Sequence, residues 1–523
     1  MRIVEIRDLD GPNLFLDGPA IKVELGEVVP EQMEHVAETL GSHVRDLHTA
    51  LGIDVPEMTS MTMEAPGHLV VAFGWQHRAL ARGIGYRAAL LTTGEQSDSD
   101  VVIDELNEIQ AREPEEDDAP LLIRAEGRTI PIIAITGTNG KTTTSRLISF
   151  VLRSAGHVVG LTSSAGVFID TEMVLKGDYS GPSGARRVFE EPSVEYAVLE
   201  TARGGMLLRG CGFEDADVAV VTNVTEDHLG VHGVYTIEGL AAVKSIIARN
   251  VKPGGFCVLN ADDDRVRAMA EVTPGIPVFF SRNLENTAMA NHLAAGGSGI
   301  FVEQGGDITW QHQGEVTAVT NVANIPMTFN GRATHQVENA LAAIAALIGV
   351  GMEHGVIREA LGNFRSSAED SKGRLNVFEI GDATVIVDFA HNEVGLVNLL
   401  NFARTYLNDG GRLISIVGTA GDREDGALQA IAQRAVEMSD VVVLKDSIHY
   451  LRGREPGEMI TLMQAGVRAA GKPEVEVLEA TDERAATLRM IDQLRPNDVL
   501  AVMCVEDYDF LLTEMAKRGK AQV

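Results

Sequence analysis

The chain has 523 residues, of which 45% are hydrophobic and 23% charged, and a formal net charge of −31 at pH 7. This length is more than one hydrophobic core usually serves, so we expect about three domains. The acidic balance argues against general binding to DNA, RNA or anionic lipid, because those partners attract a basic surface.

The sequence contains no run of about 18 or more apolar residues and no secretory apolar segment near its start. We therefore expect a cytoplasmic location and no membrane partner. The cysteines Cys211, Cys257 and Cys504 are widely spaced and form no Cys-x-x-Cys pair. We expect them to be buried thiols and not zinc ligands.

The N-terminal part, residues 1–104, mixes alternating segments such as "IKVELGEVV" and "HLVVAFGW" with the helix-like "EQMEHVAETLGSHVRDLHTALG". These patterns predict a small α+β domain. Dense acids and two prolines follow, and we interpret residues 105–129 as an acidic linker.

From Ile130 onward, strand-like apolar runs alternate with helical patterns. A strand, a glycine-rich turn and a helix come first, and buried strands follow at "YAVLETA" and "DVAVVTNV". This alternation predicts a doubly wound parallel sheet over residues 130–369. Residues near 298–330 alternate like β-hairpins, and "HQVENALAAIAALIGVG" predicts a buried helix.

Strands recur in the last part as "ATVIVDFA", "RLISIVG", "DVVVLKD", "EVEVLEA" and "DVLAVMCVED", with helical spacers between them. We therefore predict a second α/β domain over residues 370–523.

The segment "TGTNGKTTT" follows the first strand of the central part. Its small residues allow backbone N–H groups to approach phosphate oxygens at a helix N-terminus. The strict Walker spacing requires glycine where Ile135 stands, but strand, Gly-x-x-Gly-Lys-Thr and helix together still predict a phosphate-binding loop. The candidate phosphate-binding residues are Gly137, Thr138, Asn139, Gly140, Lys141, Thr142 and Thr143.

Three further residues are candidates for the same site. Glu200 ends a buried strand, where a nucleotide-bound metal needs a carboxylate, although a helix cap is the simpler reading. His228 lies in the polar cluster "TNVTEDHLG" after the next strand and is a candidate metal ligand, with Asp227 beside it. Lys244 lies in the apolar "LAAVKSIIA", where a lysine commonly extends to solvent.

Nine segments of residues 130–523 occur in the order seen in the Mur ligase family, which this part of the chain resembles. They are "GTNGKTTT", "VLETARGG", "TNVTEDHLG", "AAVK", "VLNADDD", "HQVENALAA", "KGRLNVFE", "VDFAHN" and "GTAGDRED". The resemblance implies an ATP-dependent, Mg²⁺-requiring amide ligase. It also implies an α/β fold with a P-loop central domain and a C-terminal Rossmann-like domain.

The resemblance also implies a role for each matching residue. Lys141 and Thr142 would serve the phosphates and a first Mg²⁺, and Glu200 would bind the same metal. His228 would bind a second metal, and Lys244 matches a lysine that many members carry as a carbamate. The implied nucleotide contacts are Asn339 with adenine, Arg374 with the γ-phosphate and Asp388 with the ribose. Phe389 and Glu393 replace the Tyr and Pro common in the family.

Within the family, "KGDYSGPSGARRV", "LETARGGMLLRGCGF" and "YLRGREPGE" resemble the ligase half of the cyanophycin synthetases, and "IRDLDGPNLF" resembles their first domain. Those enzymes place an ATP-grasp domain between the two parts, where this chain has only the acidic linker. We therefore expect a relative that catalyses one reaction.

In this family the third domain recognises the incoming amine, and "LKDSIHYLRGREPGE" is the corresponding stretch. Asp446, His449, Arg452 and Arg454 are candidates for substrate recognition, and a solvated charged loop is the alternative. An arginine-like donor calls for facing acids, whereas a donor with an extra carboxylate calls for the arginines.

The function expected from these residues is ATP-dependent coupling of a carboxylate-bearing acceptor to the amine of an amino acid. The alternatives are a nucleotide-binding partner or regulator of a separate ATP-grasp ligase, and a simple P-loop ATPase or kinase. A nucleic-acid partner is not expected, and a homo-oligomer remains open.

Overall fold

The computed structural model describes residues 1–96, 98–112, 118–227, 229–367 and 371–522. These residues form three units, each built on its own β-sheet. The α/β fold predicted from the sequence is confirmed, and the predicted strands and helices quoted above are present. Among the described residues, no helix is long and apolar enough to cross a membrane.

The first unit is a four-stranded antiparallel sheet in the order β1-β2-β4-β3. Helices pack on one of its faces because its apolar residues alternate along the strands. Its elements are β1 (Arg2–Leu9), β2 (Ala20–Gly26), α1 (Met33–Ala50), β3 (Met58–Thr62), β4 (Leu69–Gly74), α2 (Arg78–Thr93) and α3 (Ser99–Gln110).

The helix α3 crosses the predicted end of the first domain at residue 104. Its N-terminus is capped by Asp98, whose side chain accepts hydrogen bonds from the amides of Asp100 and Val101. Val102 and Leu106 lie one helical turn apart and are buried in the core of the first unit. The acidic residues between them suggested a linker, but they occupy the exposed side of an amphipathic helix.

The central unit is an eleven-stranded mixed sheet with helices on both faces. Its strands are β5 (Ile132–Thr136), β6 (Val159–Ser163), β7 (Gly166–Ile169), β8 (Glu172–Lys176), β9 (Tyr196–Glu200), β10 (Ala216–Val221), β11 (Val251–Asn260), β12 (Ile276–Ser281), β13 (Ser298–Val302), β14 (Asp307–His312) and β15 (Glu315–Asn321). Its helices are α4 (Lys141–Ser154), α5 (Pro182–Phe189), α6 (Arg203–Arg209), α7 (Ile237–Arg249), α8 (Asp264–Ala268), α9 (Thr287–Ala294), α10 (Thr334–Gly349) and α11 (His354–Leu361).

The strand order of the central sheet is β15-β14-β13-β12-β11-β10-β5-β9-β6-β7-β8. The strands from β13 to β6 in this order are parallel, and an antiparallel hairpin extends each edge. One apolar core joins the sheet to α4, α10 and α11, and a second joins its other face to α5, α6 and α7. The carboxyl ends of β5, β9 and β10 therefore meet at one edge, where ligands bind in such folds.

The third unit is a seven-stranded sheet in the order β20-β19-β18-β21-β17-β16-β22, parallel from β20 to β17. Its strands are β16 (Asn376–Ile380), β17 (Ala383–Asp388), β18 (Leu413–Val417), β19 (Val441–Lys445), β20 (Glu476–Ala480), β21 (Val499–Met503) and β22 (Lys520–Gln522). Its helices are α12 (Glu393–Arg404), α13 (Asp425–Met438), α14 (Glu458–Ala470), α15 (Glu483–Ile491) and α16 (Tyr508–Arg518).

The three cysteines are buried free thiols, as the sequence predicted. Burial raises the pKa of Cys211 and that of Cys257 to about 12. Because the thiolate is the reactive form of cysteine, this environment keeps both side chains inert at neutral pH.

Candidate active site

A cavity of about 1130 Å³ lies where the carboxyl ends of the central strands face the third unit. Residues from all three units line it, including Arg7 of β1 and Asp388 of β17. The structure brings most of the sequence-predicted site residues together on its walls. These are Gly137, Thr138, Asn139, Gly140, Lys141, Thr142, Thr143, Glu200, Lys244, Asn339, Arg374 and Asp388.

The loop that the sequence predicts to bind phosphate needs glycine at two positions. Gly137 has φ +144°, and a Cβ there would lie 1.9 Å from Thr222 Oγ1. Gly140 has φ +91°, and a Cβ there would lie 2.3 Å from Asn339 Oδ1. Close approach of the loop to neighbouring side chains therefore explains why glycines stand at these positions, even though the strict Walker spacing is absent.

We expect Gly137→Ala to weaken ATP binding about ten- to hundredfold, since a side chain at this φ stores roughly 1–3 kcal/mol of strain and displaces the loop. Isothermal titration calorimetry with a non-hydrolysable ATP analogue measures this. Gly156→Ala is the matched control, because Gly156 also has a positive φ but has open space around its Cβ position. Equal affinities in Gly137→Ala and the unchanged protein would contradict the expectation.

Lys141 and Thr142 begin helix α4 and point to different partners. Lys141 Nζ donates to the carbonyl oxygens of Gly137, at 3.0 Å, and Thr138, at 2.9 Å. Thr142 Oγ1 donates to Glu200 Oε2 at 3.0 Å. Burial raises the pKa of Glu200, although the charges of Lys141 and Arg374 and the Thr142 hydrogen bond oppose that rise.

The Thr142 hydroxyl and the Glu200 carboxylate fit a magnesium ion. Both are hard oxygen ligands, and Mg²⁺ is usually bound through one or two carboxylates together with phosphates and water. Within the described ranges, no group of three or more His, Cys, Asp or Glu side chains forms a metal cluster. His228, the predicted ligand of a second metal, lies outside the described residues.

Lys244 is a buried lysine on α7 that faces the same loop. Its Nζ donates to the carbonyl oxygen of Gly137 at 2.7 Å, and its side chain does not extend to solvent as an isolated apolar-helix lysine commonly does. Burial lowers the pKa of Lys244 well below its ordinary value, and the nearby charge of Lys141 lowers it further. Both effects favour the neutral amine, which is the form that reacts with carbon dioxide.

The third unit contributes Arg374 and Asp388 to the cavity. The Arg374 guanidinium lies over the Phe389 ring, 4.7 Å from its centroid, and Nη1 donates to the Phe389 carbonyl at 3.3 Å. Asp388 Oδ2 accepts a hydrogen bond from the Leu375 amide at 2.8 Å. Phenylalanine at position 389 thus supports the arginine through its ring face.

Direct contacts join the central and third units around the loop. The amide side chains of Asn139 and Asn392 hydrogen-bond to each other, at 3.1 and 3.4 Å. Asp227 accepts from Arg423 Nη1 at 2.5 Å, and His391 Nε2 lies 3.9 Å from the same carboxylate. Burial lowers the pKa of His391 to about 4, so this imidazole is neutral at pH 7.

Asn339 of α10 lies on the cavity wall next to Gly140 of the loop. Its Nδ2 donates to Gln336 Oε1 at 3.0 Å, and its Oδ1 faces Gly140. The neighbouring His335 has a buried Nδ1 with no hydrogen-bond partner, and burial lowers the pKa of this histidine to about 4. This wall thus presents an uncharged imidazole and an amide beside the loop.

The four substrate candidates of the third unit do not line this cavity. Arg452 and Arg454 line a smaller pocket of about 390 Å³ with residues 229–231 and 421–424. Arg454 forms ion pairs with Asp425, at 2.8 Å, and Glu458, at 2.9 Å. His449 is exposed.

Asp446, the fourth substrate candidate, is buried beyond the end of β19. Its Oδ2 accepts a hydrogen bond from the Gly457 amide at 2.5 Å, while Oδ1 has no partner.

Sequence reasoning missed Asp178, Arg203 and Arg146. Asp178 lies in the loop "DYSGPSG" and lines the cavity, and its charge raises the pKa of Glu200. Arg203 starts α6 directly after β9 and lines the cavity. Arg146 of α4 is largely buried and donates to the Lys372 carbonyl at 3.3 Å. Burial and the charge of Arg374 lower the pKa of Arg146, and the charge of Glu200 opposes that fall. The glycine-rich sequences around Asp178 and Arg203 could have marked these two residues as candidates.

Residues 135–347 match the Mur ligase middle domain, and residues 373–504 match the Mur ligase glutamate ligase domain. The chain belongs to the Mur ligase family. The two Mur ligase domains fall within the predicted ranges 130–369 and 370–523.

The chain is similar to two kinds of curated ligase. It is 38% identical over 380 residues to the cyanophycin synthetase of a Nostoc species, covering 72% of this chain and 41% of that protein. The chain thus spans about two fifths of the length of those relatives. It is 29% identical over 385 residues to the UDP-N-acetylmuramoyl-L-alanyl-D-glutamate–2,6-diaminopimelate ligase of Parabacteroides distasonis, covering 72% of each.

The structure also resembles solved Mur ligase folds. FolC of E. coli, solved in complex with DHPP and ADP, superposes with a TM-score of 0.54 at 19% identity, covering 74% of this chain and 89% of that one. This likeness supports the same α/β architecture.

Proposed function

We propose that this Mur ligase family member is an ATP-dependent amide ligase that joins an acceptor carboxylate to the amine of an amino acid. The observation that carries the proposal is the convergence of Lys141, Glu200, Lys244, Arg374 and Asp388 on one cavity between two units. A simple kinase or ATPase has no need of a third unit that places Arg374 opposite the phosphate-binding loop.

ATP and Mg²⁺ are the proposed cofactors. The loop amides and Lys141 bind the phosphates, Arg374 approaches from the third unit, and Asn339 and Asp388 contact the base and the ribose. Thr142 and Glu200 would hold Mg²⁺, which would neutralise phosphate charge. Lys244 contacts the Gly137 carbonyl of the loop and, as a carbamate, would supply an anion for a magnesium site.

The proposed reaction runs in two steps. An oxygen of the acceptor carboxylate attacks the γ-phosphorus of ATP, ADP leaves, and an acyl phosphate forms. The donor amine then attacks the acyl carbon and phosphate leaves with the acceptor oxygen. Lys141 and Arg374 stabilise the transferred group, and contacts such as Asn139–Asn392 keep the two units closed against water.

The third unit favours a donor amino acid with a cationic side chain. Near the carboxyl ends of β19 and β21, Lys445 Nζ is paired with Glu483 at 2.8 Å, whereas three other buried polar atoms have neither a hydrogen bond nor an ion pair: Asp446 Oδ1, Ser447 Oγ and Glu506 Oε2. Two of them are carboxylate oxygens, and buried polar groups without partners point to a ligand that completes them. Arg454, by contrast, is already engaged by two acids.

We expect Asp446→Asn to raise KM for a lysine or arginine donor about tenfold or more, because a charged hydrogen bond is lost while the backbone contact is preserved. Steady-state ADP release against donor concentration measures this. Asp409→Asn, at an exposed loop of the same unit, is the control. An unchanged KM for cationic donors together with a raised KM for acidic donors would refute the proposed donor class.

The test of the function is ADP release from Mg-ATP with a panel of amino acids combined with short aspartyl or glutamyl peptides. We expect release that depends on both a peptide and an amino acid. ATP binding without turnover for every pair would instead favour a nucleotide-binding partner or regulator of a separate ATP-grasp ligase.

A further inference from the structure

A fully buried ion pair lies in the third unit beside the candidate donor site. Lys445 is the last residue of β19, and Glu483 is the first residue of α15. Lys445 Nζ lies 2.8 Å from Glu483 Oε2, and neither side chain is exposed to solvent. Taking two charges out of water is costly, and their attraction offsets that cost only with good geometry and further hydrogen bonds. Stability alone is therefore a poor explanation for this pair.

The Lys445 side chain passes the end of the neighbouring strand. In the sheet β18 lies between β19 and β21, and Gly418 directly follows β18. A Cβ on Gly418 would lie 2.9 Å from Lys445 Cγ and 2.4 Å from the Lys445 carbonyl oxygen. The glycine thus leaves the space that the lysine needs in order to reach Glu483.

The Glu483 carboxylate also holds the loop that follows β21, residues 504–507. Oε1 accepts hydrogen bonds from the Cys504 thiol and the Asp507 amide, each at 2.8 Å. Oε1 also accepts from the Glu506 amide at 3.3 Å, and Oε2 accepts from the Val505 amide at 2.9 Å. One carboxylate thus receives a hydrogen bond from every residue of this loop.

These contacts place Glu506 beside the loop that follows β19. Glu506 Oε1 accepts a hydrogen bond from the His449 amide at 2.6 Å, while its Oε2 is buried without a partner. Asp446 and Ser447, which carry the two other unpartnered atoms, come directly after Lys445. The ion pair therefore joins the two loops that bear the candidate donor contacts.

The pairing also decides which charge faces the donor. Burial raises the pKa of Glu483, but the charge of Lys445 and the hydrogen bonds of the loop outweigh burial and hold that pKa below its ordinary value. Because the charged Glu483 engages the lysine, this cation does not neutralise Asp446 or Glu506. Their free oxygens keep the negative charge that attracts a cationic donor.

We infer that Lys445 and Glu483 are positioning residues for the donor amino acid, because the pair fixes both loops and leaves their acids free for a cation. This role rests on the proposed ligase function and on the donor site proposed with it. In this role neither residue touches the donor, and both act through Asp446 and Glu506.

The test compares Glu483→Gln with the unchanged protein in steady-state ADP release. The substitution keeps the size of the side chain, but it leaves the Lys445 ammonium without its counter-charge and able to pair with Asp446 or Glu506. We expect KM for a lysine or arginine donor to rise about tenfold or more, whereas KM for ATP stays unchanged. An unchanged donor KM would overturn the inference.

Asp498→Asn is the matched control, because Asp498 is a buried carboxylate at the opposite end of the same sheet. It pairs with Arg412 at 2.6 Å and accepts hydrogen bonds from the amides of Arg412 and Arg495, each at 2.9 Å. We expect both variants to lower the Tm, but only Glu483→Gln to raise KM for the donor. An equal rise in both would reduce the pair to a general structural role and contradict the inference.

Lys445→Met decides the question if Glu483→Gln does not fold, because it fills the buried space and leaves the four loop hydrogen bonds of Glu483 in place. We expect it to raise KM for a cationic donor at least about threefold, and an unchanged KM would count against the pair.

Hydrogen exchange separates this inference from the ligase proposal, because it needs no turnover. Glu483→Gln is expected to speed exchange in residues 446–457 and 504–507, and Asp498→Asn is not. If no amino acid supports ADP release by the unchanged protein, the ligase proposal fails. Faster exchange in both loops would then still support their positioning by the pair, and unchanged exchange would overturn it.

Discussion

Lys141→Ala is expected to lower ATP-dependent turnover about 10³-fold or more, because it removes the loop cation that the proposed function assigns to the phosphates of ATP. In the structure Lys141 Nζ is held by two loop carbonyl oxygens, at 2.9 and 3.0 Å, so its position is set before ATP binds. The measurement is the steady-state rate of ADP release at saturating ATP.

Lys517→Ala is the control for this substitution, because Lys517 lies at the surface of α16 beside Glu514. It is expected to retain the full rate. A rate for Lys141→Ala within about tenfold of the unchanged protein would remove the loop lysine from the mechanism, since a single phosphate-stabilising charge normally contributes far more.

Lys244→Ala is expected to lower turnover roughly 10²-fold, in line with the loss of a group that supports a bound metal. Short carboxylates such as acetate or formate are expected to restore part of the rate, because they replace the anion that a carbamate would supply. The structural basis is the buried Lys244 amine, whose low pKa favours the neutral form that carbamylation needs.

Lys244→Met separates charge from volume, because it fills the buried space without an amine. It is expected to behave like Lys244→Ala and to respond to acetate less, since the cavity is filled. Carbon NMR with ¹³C-bicarbonate is expected to show a carbamate signal in the unchanged protein and none in either variant. Unchanged activity in Lys244→Ala would refute this role.

The local patterns in the sequence predicted the fold well, because each was short-range. The strand, glycine turn and helix around Gly137 and Gly140 predicted a phosphate-binding loop, alternating strands and helices predicted the two α/β units, and the nine ordered segments pointed to the Mur ligase family. Helix α3 was not predicted, because its acidic residues resembled a linker while Leu106 faces the core.

Features that depend on contacts between distant parts of the chain could not be predicted from such local patterns. The burial of Lys244 depends on how α7 packs against the loop, and the position of Arg7 depends on docking between two units far apart in sequence. The pairing of Arg454 with two acids is likewise absent from its local pattern. The resemblance to Mur ligases, and not spacing alone, pointed to Asn339, Arg374 and Asp388.

The most direct test of amide ligation follows the oxygen atoms. The acceptor peptide that supports turnover is labelled with ¹⁸O in its carboxylates, and the released phosphate is analysed by mass spectrometry. Transfer of one ¹⁸O from the acceptor to each phosphate, together with one new amide bond, is the predicted result, because phosphate leaves with the oxygen that attacked ATP. Phosphate that takes its new oxygen from water would contradict carboxylate activation.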